Sequence, residues 1–217
     1  MDTKTKISQA AARLFFTYGY EKTTLRMIGE EVGIAHVSIL SHFNNKMDIA
    51  AAAVENYLSG LKRKCDELFE GFPKTIRTKD EYYRNMLWWT MHFKLLSDNR
   101  AFREFYMSFY REGPVILTQP HLVEIDESKR IRITVQQAND FVLRSLVTAL
   151  DANLASLIGF GMVDYVQAAR LIMLQGGVIG FTPDFSPTEA EIRKFADKYL
   201  AGVEVDVLNE FLLVQGE

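Results

Sequence analysis

The chain has 217 residues, 48% of them hydrophobic, and a formal net charge of −3. This length and apolar content are enough to bury the core of one or two domains. The single cysteine, Cys65, excludes an intramolecular disulfide and fits a reducing compartment. The small negative net charge gives no indication of a polyanionic partner.

No segment has the pattern of an export signal or a membrane span. The N-terminal apolar run, residues 7–16, is interrupted by polar side chains, unlike the core of a signal peptide. The most membrane-like stretch, residues 141–160, contains Arg144 and Asp151 and is typical of a buried helix. We therefore expect a cytoplasmic protein with no membrane partner.

The first seventy residues show four segments of helical periodicity. Gly19 and Gly33 stand where the first and second helices should end, since glycine adopts the backbone conformation that follows a helix at little steric cost. The predicted bounds are Thr3–Tyr18, Thr23 or Thr24 to Val32, Ala35 to His42, and Asn44 or Asn45 to Glu70.

Beyond Pro73 the periodicity remains helical. Residues 131–135 alternate like a strand, but they have no evident partner, so we predict helix there as well. The further predicted helices are Asp80–Ser97, Asn99–Glu112, Ile133–Gly161 with a start upstream in Glu124–Arg132, Asp164–Phe181, and Thr188–Leu213 with a break at Gly202.

The densest pattern is a pair of short helices joined by a turn that carries Gly33. Such a helix-turn-helix places its second helix in the major groove of DNA. The stretch that contains it resembles the N-terminal signature of the TetR family, with ISQAAARLFFTYGYEKTTLRMIGEEVGI at residues 7–34 and SHFNNK at residues 41–46. The resemblance implies an all-α fold, with a three-helix helix-turn-helix domain at residues 1–46. A larger helical ligand-binding and dimerisation domain would follow at residues 47–217.

The resemblance also implies which side chains contact DNA. Thr24 opens the second helix, where backbone N–H groups and a hydroxyl can meet a phosphate, and Lys46 stands at the family's phosphate-contacting lysine. Base edges would be reached from the third helix, with Val37 against a thymine methyl and His36 against a purine edge. The full predicted set is Thr24, Ala35, His36, Val37, Ser38, Leu40, Ser41, His42 and Lys46. The predicted core of this domain is Leu14, Phe15, Ile28, Ile34, Ile39 and Phe43.

Three positions depart from the family pattern. Leu40 stands where the family usually has a tyrosine whose hydroxyl contacts phosphate, and Val37 stands where glycine or proline is frequent. Ala35 replaces a serine that would cap the third helix, at a cost of about 1 kcal/mol. These departures concern operator affinity and sequence rather than the fold. They leave open a plain three-helix bundle that makes no DNA contact.

Aromatic residues concentrate in the second part of the chain. Residues 82–110 hold ten of the 26 aromatic side chains, with Met86, Met91 and Met107 among them. Rings and thioethers are suitable walls for an apolar cavity, so we expect a lipophilic, aromatic or acyl-bearing effector here. The predicted contacts are Trp89, Phe93, Phe105, Tyr106 and Phe109. The alternative is an aromatic core without a cavity.

Small side chains recur toward the C-terminus on one predicted helix. Two adjacent glycines inside a helix cost about 1 kcal/mol each relative to alanine, and close approach of a second helix would offset that cost. The family's dimerisation through its last two helices points the same way. We therefore predict a homodimer contact through Ala169, Ile172, Met173, Gly176 and Gly177. The competing interpretation, a phosphate loop, lacks a preceding strand and a following Lys-Ser/Thr pair.

These patterns together predict a transcriptional repressor that a small lipophilic effector releases from a palindromic double-stranded DNA operator. Residues 1–50 carry a net charge of +1 and the other 167 residues −4, which suits a DNA-binding head on a body that need not touch DNA. The sequence has no serine-hydrolase elbow, cysteine–histidine pair, phosphate loop or metal cluster, so we expect neither an enzyme nor a cofactor. The alternative is a helical small-molecule-binding or interaction protein whose DNA-binding head is weak or lost.

Overall fold

The computed structural model describes residues 2–77, 79–112, 124–125, 131–132, 135–178 and 187–213. Its helices are α1 (Thr3–Tyr18), α2 (Leu25–Val32), α3 (His36–Ile39), α4 (Lys46–Glu70), α5 (Lys74–Arg77), α6 (Asp80–Asp98), α7 (Arg100–Glu112), α8 (Val135–Gly159), α9 (Tyr165–Val178) and α10 (Glu189–Tyr199). Two two-residue strands, β1 (Glu124–Ile125) and β2 (Ile131–Arg132), pair with each other, and a π-helical segment spans Val207–Leu212. The all-α prediction is confirmed, with a helix-turn-helix head followed by a larger helical body.

Side-chain caps begin α2 and α4. The Thr24 hydroxyl accepts a hydrogen bond from Met27 N at 3.2 Å, and Asn45 Oδ1 accepts one from Asp48 N at 2.9 Å. These bonds satisfy backbone donors that have no partner within the helix. Of the alternatives predicted, Thr24 and not Thr23 caps α2, and Asn45 and not Asn44 caps α4. The predicted boundary between residues 46 and 47 falls in the first turn of α4, the helix that joins head and body.

Two predicted elements differ from the structure. The third helix ends at Ile39 instead of His42, and its N-cap, Ala35, makes no side-chain hydrogen bond. The helix predicted over Glu124–Arg132 is wrong, because Ile125 pairs with Ile131, and Glu124 with Arg132, in an antiparallel ladder. Of the strand-like segment predicted to lack a partner, Ile131 and Arg132 do have one, a few residues upstream. The last part of the helix predicted to reach Phe181 lies outside the described residues.

The final segment breaks where predicted. The α10 helix begins with a capping box, in which Thr188 Oγ1 accepts from Glu191 N and the Glu191 carboxylate accepts from Thr188 N. The chain leaves the helix through Gly202, whose φ of 76° lies in the left-handed region that favours glycine. The π-helical segment that follows packs against α4, where the ring of Phe211 lies so close to Gly60 that a Cβ there would be 2.7 Å from it.

One continuous hydrophobic cluster runs from the head into the body. Head residues such as Phe15 and Ile28 belong to the same buried cluster as Phe105 and Ile172. The long helix α4 contributes ten buried residues and packs against α1, α6 and the π-helical segment. Because the core is shared, the head is not an independent module on a flexible tether. None of the described helices has the length and apolar character needed to cross a membrane.

Candidate functional site

The turn of the helix-turn-helix depends on two glycines. Gly33 ends α2 in the left-handed conformation, with φ 80° and ψ 31°. Gly29 lies where the turn crosses α2, and a Cβ there would come within 2.7 Å of Ile34 O and 3.2 Å of His36 N. Because both neighbours are backbone atoms, only glycine fits this crossing. Sequence analysis identified Gly33 but missed Gly29. The missed signal was a glycine in the middle of an eight-residue helix.

The third helix has one buried side and one exposed side. Ile39 and Phe43 are directed inward with Ile28, and the core predicted for the head is buried apart from the half-buried Ile34. The outward side carries Val37, which is 63% exposed, and Leu40, which is 47% exposed. The other predicted DNA contacts in this region are exposed as well: Thr24, Ala35, His36, Ser38, Ser41 and His42.

Lys46 is engaged within the head. Its ammonium group donates to Tyr20 O at 2.9 Å and to Thr23 O at 3.0 Å, and lies 4.1 Å from the centroid of the Tyr20 ring. Burial lowers the pKa of Lys46, against the opposing effect of the Glu112 and Glu21 carboxylates. The side chain thus fastens the α1–α2 turn to the start of α4. Sequence analysis expected a phosphate contact at Lys46 and did not foresee this internal role.

The head also contacts α7 directly. The rings of Phe15 on α1 and Phe105 on α7 stack at a centroid distance of 5.2 Å and an angle of 9°, and both side chains are buried. At the surface, Arg111 near the end of α7 forms an ion pair with Glu21 in the α1–α2 turn. Such an exposed pair adds little stability, but the buried stack means that α7 cannot shift without disturbing the head.

A chain of buried hydrogen bonds crosses the centre of the body. The Tyr57 hydroxyl lies 2.7 Å from His92 Nδ1, His92 Nε2 lies 2.9 Å from Asp151 Oδ1, and the Tyr106 hydroxyl donates to Asp151 Oδ2 at 2.6 Å. In the tautomer that carries its proton on Nε2, the imidazole donates Nε2–H to the carboxylate and accepts at Nδ1 from Tyr57. We call these four residues the buried tetrad. They link α4, α6, α7 and α8.

The tetrad holds two phenols in their neutral form. Burial raises the pKa of Tyr57 and of Tyr106 well above the usual value of 10, and the nearby charge of Asp151 raises both further. Sequence analysis noted Asp151 only as a charge that argues against a membrane span. A carboxylate within the mostly apolar stretch of residues 146–160 was the available signal that buried donors must surround it.

Four of the five predicted effector contacts lie inside the aromatic core. The side chains of Phe93, Phe105, Tyr106 and Phe109 are almost completely buried. The fifth, Trp89, is half-buried and lines a groove of about 500 Å³ between α4 and α6. The other residues that line this groove are Lys62, Cys65, Asp66, Glu81, Arg84, Asn85, Leu87 and Trp88.

The groove combines an aromatic wall with a charged rim. Asp66 pairs with Lys62 at 2.8 Å and with Arg84 at 2.6 Å, while Trp88 and Trp89 supply apolar surface from α6. Burial, with a smaller effect from the Asp66 charge, raises the pKa of the Cys65 thiol to about 12. The cysteine is therefore an apolar wall residue and not a nucleophile at neutral pH.

The predicted dimer contacts need a correction. Ala169, Ile172 and Met173 are buried in the chain's own core, on the side of α9 that packs against its neighbouring helices, so they present no surface to a partner. Ala169 serves packing within the chain instead. Gly176 and Gly177 lie in the last turn of α9. Large apolar side chains that are exposed in this region are Leu146, Phe160, Met162 and Leu171.

Comparisons with known proteins locate the similarity in the head. Residues 7–53 match the family model of bacterial regulatory proteins of the tetR family. The HTH-type transcriptional regulator TtgR and the probable HTH-type transcriptional regulator ArpR, both of Pseudomonas putida, are each 36% identical over 55 residues. These matches cover 25% of this chain and 26% of each relative, so they span about a quarter of the relatives' length.

Solved structures resemble the chain more remotely. FadR, a fatty acid degradation regulator of Bacillus halodurans, is 17% identical with a TM-score of 0.39, covering 96% of this chain and 91% of its own. SmeT of Stenotrophomonas maltophilia, the repressor of the efflux pump SmeDEF, is 20% identical with a TM-score of 0.39, covering 95% and 93%. The 36% identity lies in the helix-turn-helix head. Within residues 7–53, this chain is similar to the tetR family of bacterial regulatory proteins.

Proposed function

We propose that the chain is a DNA-binding transcriptional repressor that a small lipophilic effector releases from a palindromic operator. The observation that carries the proposal is the outward side of α3, on a helix-turn-helix head of the tetR family, where every predicted base contact is exposed. An α-helix of this kind fits the major groove. A regulator of chromosomal DNA in a bacterium would act in the cytoplasm.

Phosphates would be held by groups beside α3. The start of α2 presents free backbone N–H groups next to Thr24, whose hydroxyl oxygen already caps the helix. Lys46 uses two of its three ammonium protons within the head, which leaves one for a phosphate. Lys46 would therefore contact a DNA phosphate while it keeps its two hydrogen bonds to the α1–α2 turn.

Introducing a negative charge on the outward side of α3 tests DNA binding. Purified protein is titrated against DNA from its own promoter region and against a random duplex, each at two salt concentrations. We expect tighter binding to the promoter DNA, weakening steeply with salt because phosphate contacts release counterions. Ser38→Asp on α3 should weaken binding at least tenfold. Ser59→Asp makes the same change at an exposed site on α4, about 20 Å along that helix from its first residue, Lys46. This control variant should leave DNA binding unchanged.

The alternative is a ligand-binding protein whose head no longer binds DNA. The observation in its favour is that three of the six Lys and Arg side chains in residues 1–46 are engaged internally: Arg13 with Glu31, Arg26 with Glu30, and Lys46 with backbone carbonyls. Equal binding to promoter and random DNA, with no difference between the two serine variants, would support this alternative against the repressor.

The effector would act through α4 and α7 together. Tyr57 on α4 and Tyr106 on α7 belong to the tetrad, while the neighbouring Phe105 stacks on Phe15 of the head. A ligand that shifts α6 or α8 would change the distances between tetrad residues and so move both helices. By linkage, the factor by which effector weakens operator binding equals the factor by which operator weakens effector binding.

The two tryptophans provide an effector assay. Trp88 and Trp89 are the chain's only tryptophans and both line the groove between α4 and α6. We expect 1-naphthol or dodecanoate, an aromatic and an acyl probe, to change tryptophan emission and to release operator DNA over the same concentration range. Trp89→Ala should weaken the release, and Tyr18→Ala, at an exposed aromatic of the head, should not. Emission changes without release would show that the groove does not regulate DNA binding.

A homodimer would present two heads to a palindromic site. The support is the exposed apolar surface on α8, the following turn and α9, where Phe160 is 77% and Leu146 55% exposed. We expect Leu146→Glu to shift the protein toward monomer in sedimentation velocity. Tyr18→Glu, at a similarly exposed aromatic in the head, is the matched control. A chain that sediments as a monomer without any substitution would contradict the dimer.

A further inference from the structure

The outward side of α3 is more apolar than a DNA-reading surface needs to be. Val37 and Leu40 are both large, apolar and about half exposed or more. Leu40 keeps helical backbone angles, and its N–H bonds to Val37 O at 3.1 Å, so the helical turn continues beyond Ile39. Side chains three positions apart on such a turn are neighbours. The two residues therefore form one apolar patch on the surface that would face DNA.

The polar groups around this patch are few. The Ser41 hydroxyl donates to Ser38 O at 2.7 Å and is thus directed back to its own backbone. The Thr24 hydroxyl oxygen caps α2. Within the described segment 35–41, His36 and Ser38 are the side chains with polar atoms that make no hydrogen bond inside the chain. Within residues 35–41, the side chains left to donate hydrogen bonds to base edges are therefore His36 and Ser38.

The major groove offers one apolar group, the C5-methyl of thymine. If the apolar patch were buried against a hydrogen-bond donor or acceptor of a base, that group would lose its water partner and gain none, which would weaken DNA binding. Neighbouring side chains on a helix lie about 5–6 Å apart, and successive bases lie about 3.4 Å apart along a strand. A patch of two side chains would thus cover two adjacent base pairs.

We propose that Val37 and Leu40 form a methyl-reading surface that recognises thymine methyl groups at two adjacent base pairs in each operator half-site. This inference rests on the proposed DNA-binding function and states what the third helix selects. It also gives Leu40 a role that a tyrosine at this position would not have, since leucine offers a purely apolar contact.

A uracil scan tests the inference. The operator is first footprinted on the promoter fragment, and each thymine in a half-site is then replaced singly by deoxyuridine. This removes the methyl group and leaves the base's hydrogen-bonding edge intact. We expect two neighbouring positions at which affinity falls about fourfold, the effect of one buried methyl-sized group. Val37→Ala should abolish the loss at one of these positions and Leu40→Ala at the other, while positions outside the pair show no dependence on either variant.

The outcomes separate the inference from the function on which it rests. Tight, salt-dependent binding to a fully uracil-substituted operator, equal to that of the thymine operator, would overturn the methyl-reading surface and leave the repressor proposal intact. Losses at uracil positions that persist unchanged in both alanine variants would also overturn it, because the methyl contacts would then belong to other residues. Absence of any specific DNA binding would overturn both. Circular dichroism of the variants checks that the exposed substitutions leave the helix content unchanged.

Discussion

Removing His92 from the buried tetrad should have a large and diagnostic effect on stability. His92→Phe keeps an aromatic ring but leaves the Asp151 carboxylate with one donor, Tyr106, and leaves the Tyr57 hydroxyl without an acceptor. A hydrogen bond to a charged group contributes about 1.5–3 kcal/mol, and an unpartnered buried hydroxyl costs about 1–3 kcal/mol. We therefore expect His92→Phe to lower the free energy of unfolding by about 3–5 kcal/mol.

The sharper test is a double-mutant cycle. Tyr57→Phe alone should cost about 1–2 kcal/mol, since it removes the donor to His92. In the His92→Phe background the same change removes an unpartnered hydroxyl and should be neutral or stabilising. Phe109→Leu, in the same buried core but with no polar partner, is the control and should cost the same in both backgrounds. Urea unfolding followed by circular dichroism measures all the variants.

Two results would refute this reasoning. One is a His92→Phe variant whose free energy of unfolding lies within about 0.5 kcal/mol of the parent's. An interaction of that size could not offset the cost of burying the Asp151 carboxylate. The other is additive behaviour of Tyr57→Phe and His92→Phe, which would mean that the 2.7 Å contact between their side chains contributes nothing as a pair.

Three further predictions concern single groups. Gly29→Ala should lower the free energy of unfolding by about 1–3 kcal/mol and weaken DNA binding, because the new Cβ meets Ile34 O. A variant more stable than the parent would mean that the higher helix propensity of alanine outweighs this contact. Burial and a neighbouring carboxylate raise the pKa of Tyr57 and Tyr106, so the stability that these two phenols contribute is intact below pH 10. It should fall above pH 10 by up to about 1.4 kcal/mol per pH unit for each phenol, as the unfolded chain alone loses these protons. Urea unfolding between about pH 9 and 11.5 measures this dependence of stability on pH. The Tyr57→Phe/Tyr106→Phe double variant should lose the part of the slope that these two phenols cause, and an unchanged slope would contradict their raised pKa. Cys65, with a thiol pKa of about 12, should react with a disulfide reagent at about pH 8 only after unfolding, so rapid reaction of the folded chain would place it at the surface.

Local signals predicted most helix boundaries. Thr24, Asn45 and Gly33 occupy the cap positions expected of them, because capping depends on a side chain and backbone groups within three or four residues. The β1–β2 pair was missed for the opposite reason. Its alternation is short, its partner lies in a charged segment, and pairing depends on a chain reversal that helical periodicity does not report.

The exposed side of the head was more predictable than its interior contacts. The motif sets which residues of α3 are directed outward, so the exposure of Val37 follows once the register is known. The partners of Lys46 lie more than twenty residues upstream, and those of His92 lie 35 and 59 residues away along the chain. Such contacts are set by tertiary packing, and a polar residue in an apolar helix indicates only that some partner exists.

The position of α7 explains why the head and body are mechanically one unit. Phe105 and Tyr106 are consecutive, so their side chains leave the helix in directions about 100° apart. One stacks on the head and the other binds Asp151 in the body. A rotation of α7 that lengthens the Tyr106–Asp151 bond must also slide Phe105 across Phe15, because neither contact has free space beside it. Tyr106→Phe should therefore uncouple effector from operator more than it weakens operator binding itself, since it releases α7 from the body and leaves the head's own contacts in place.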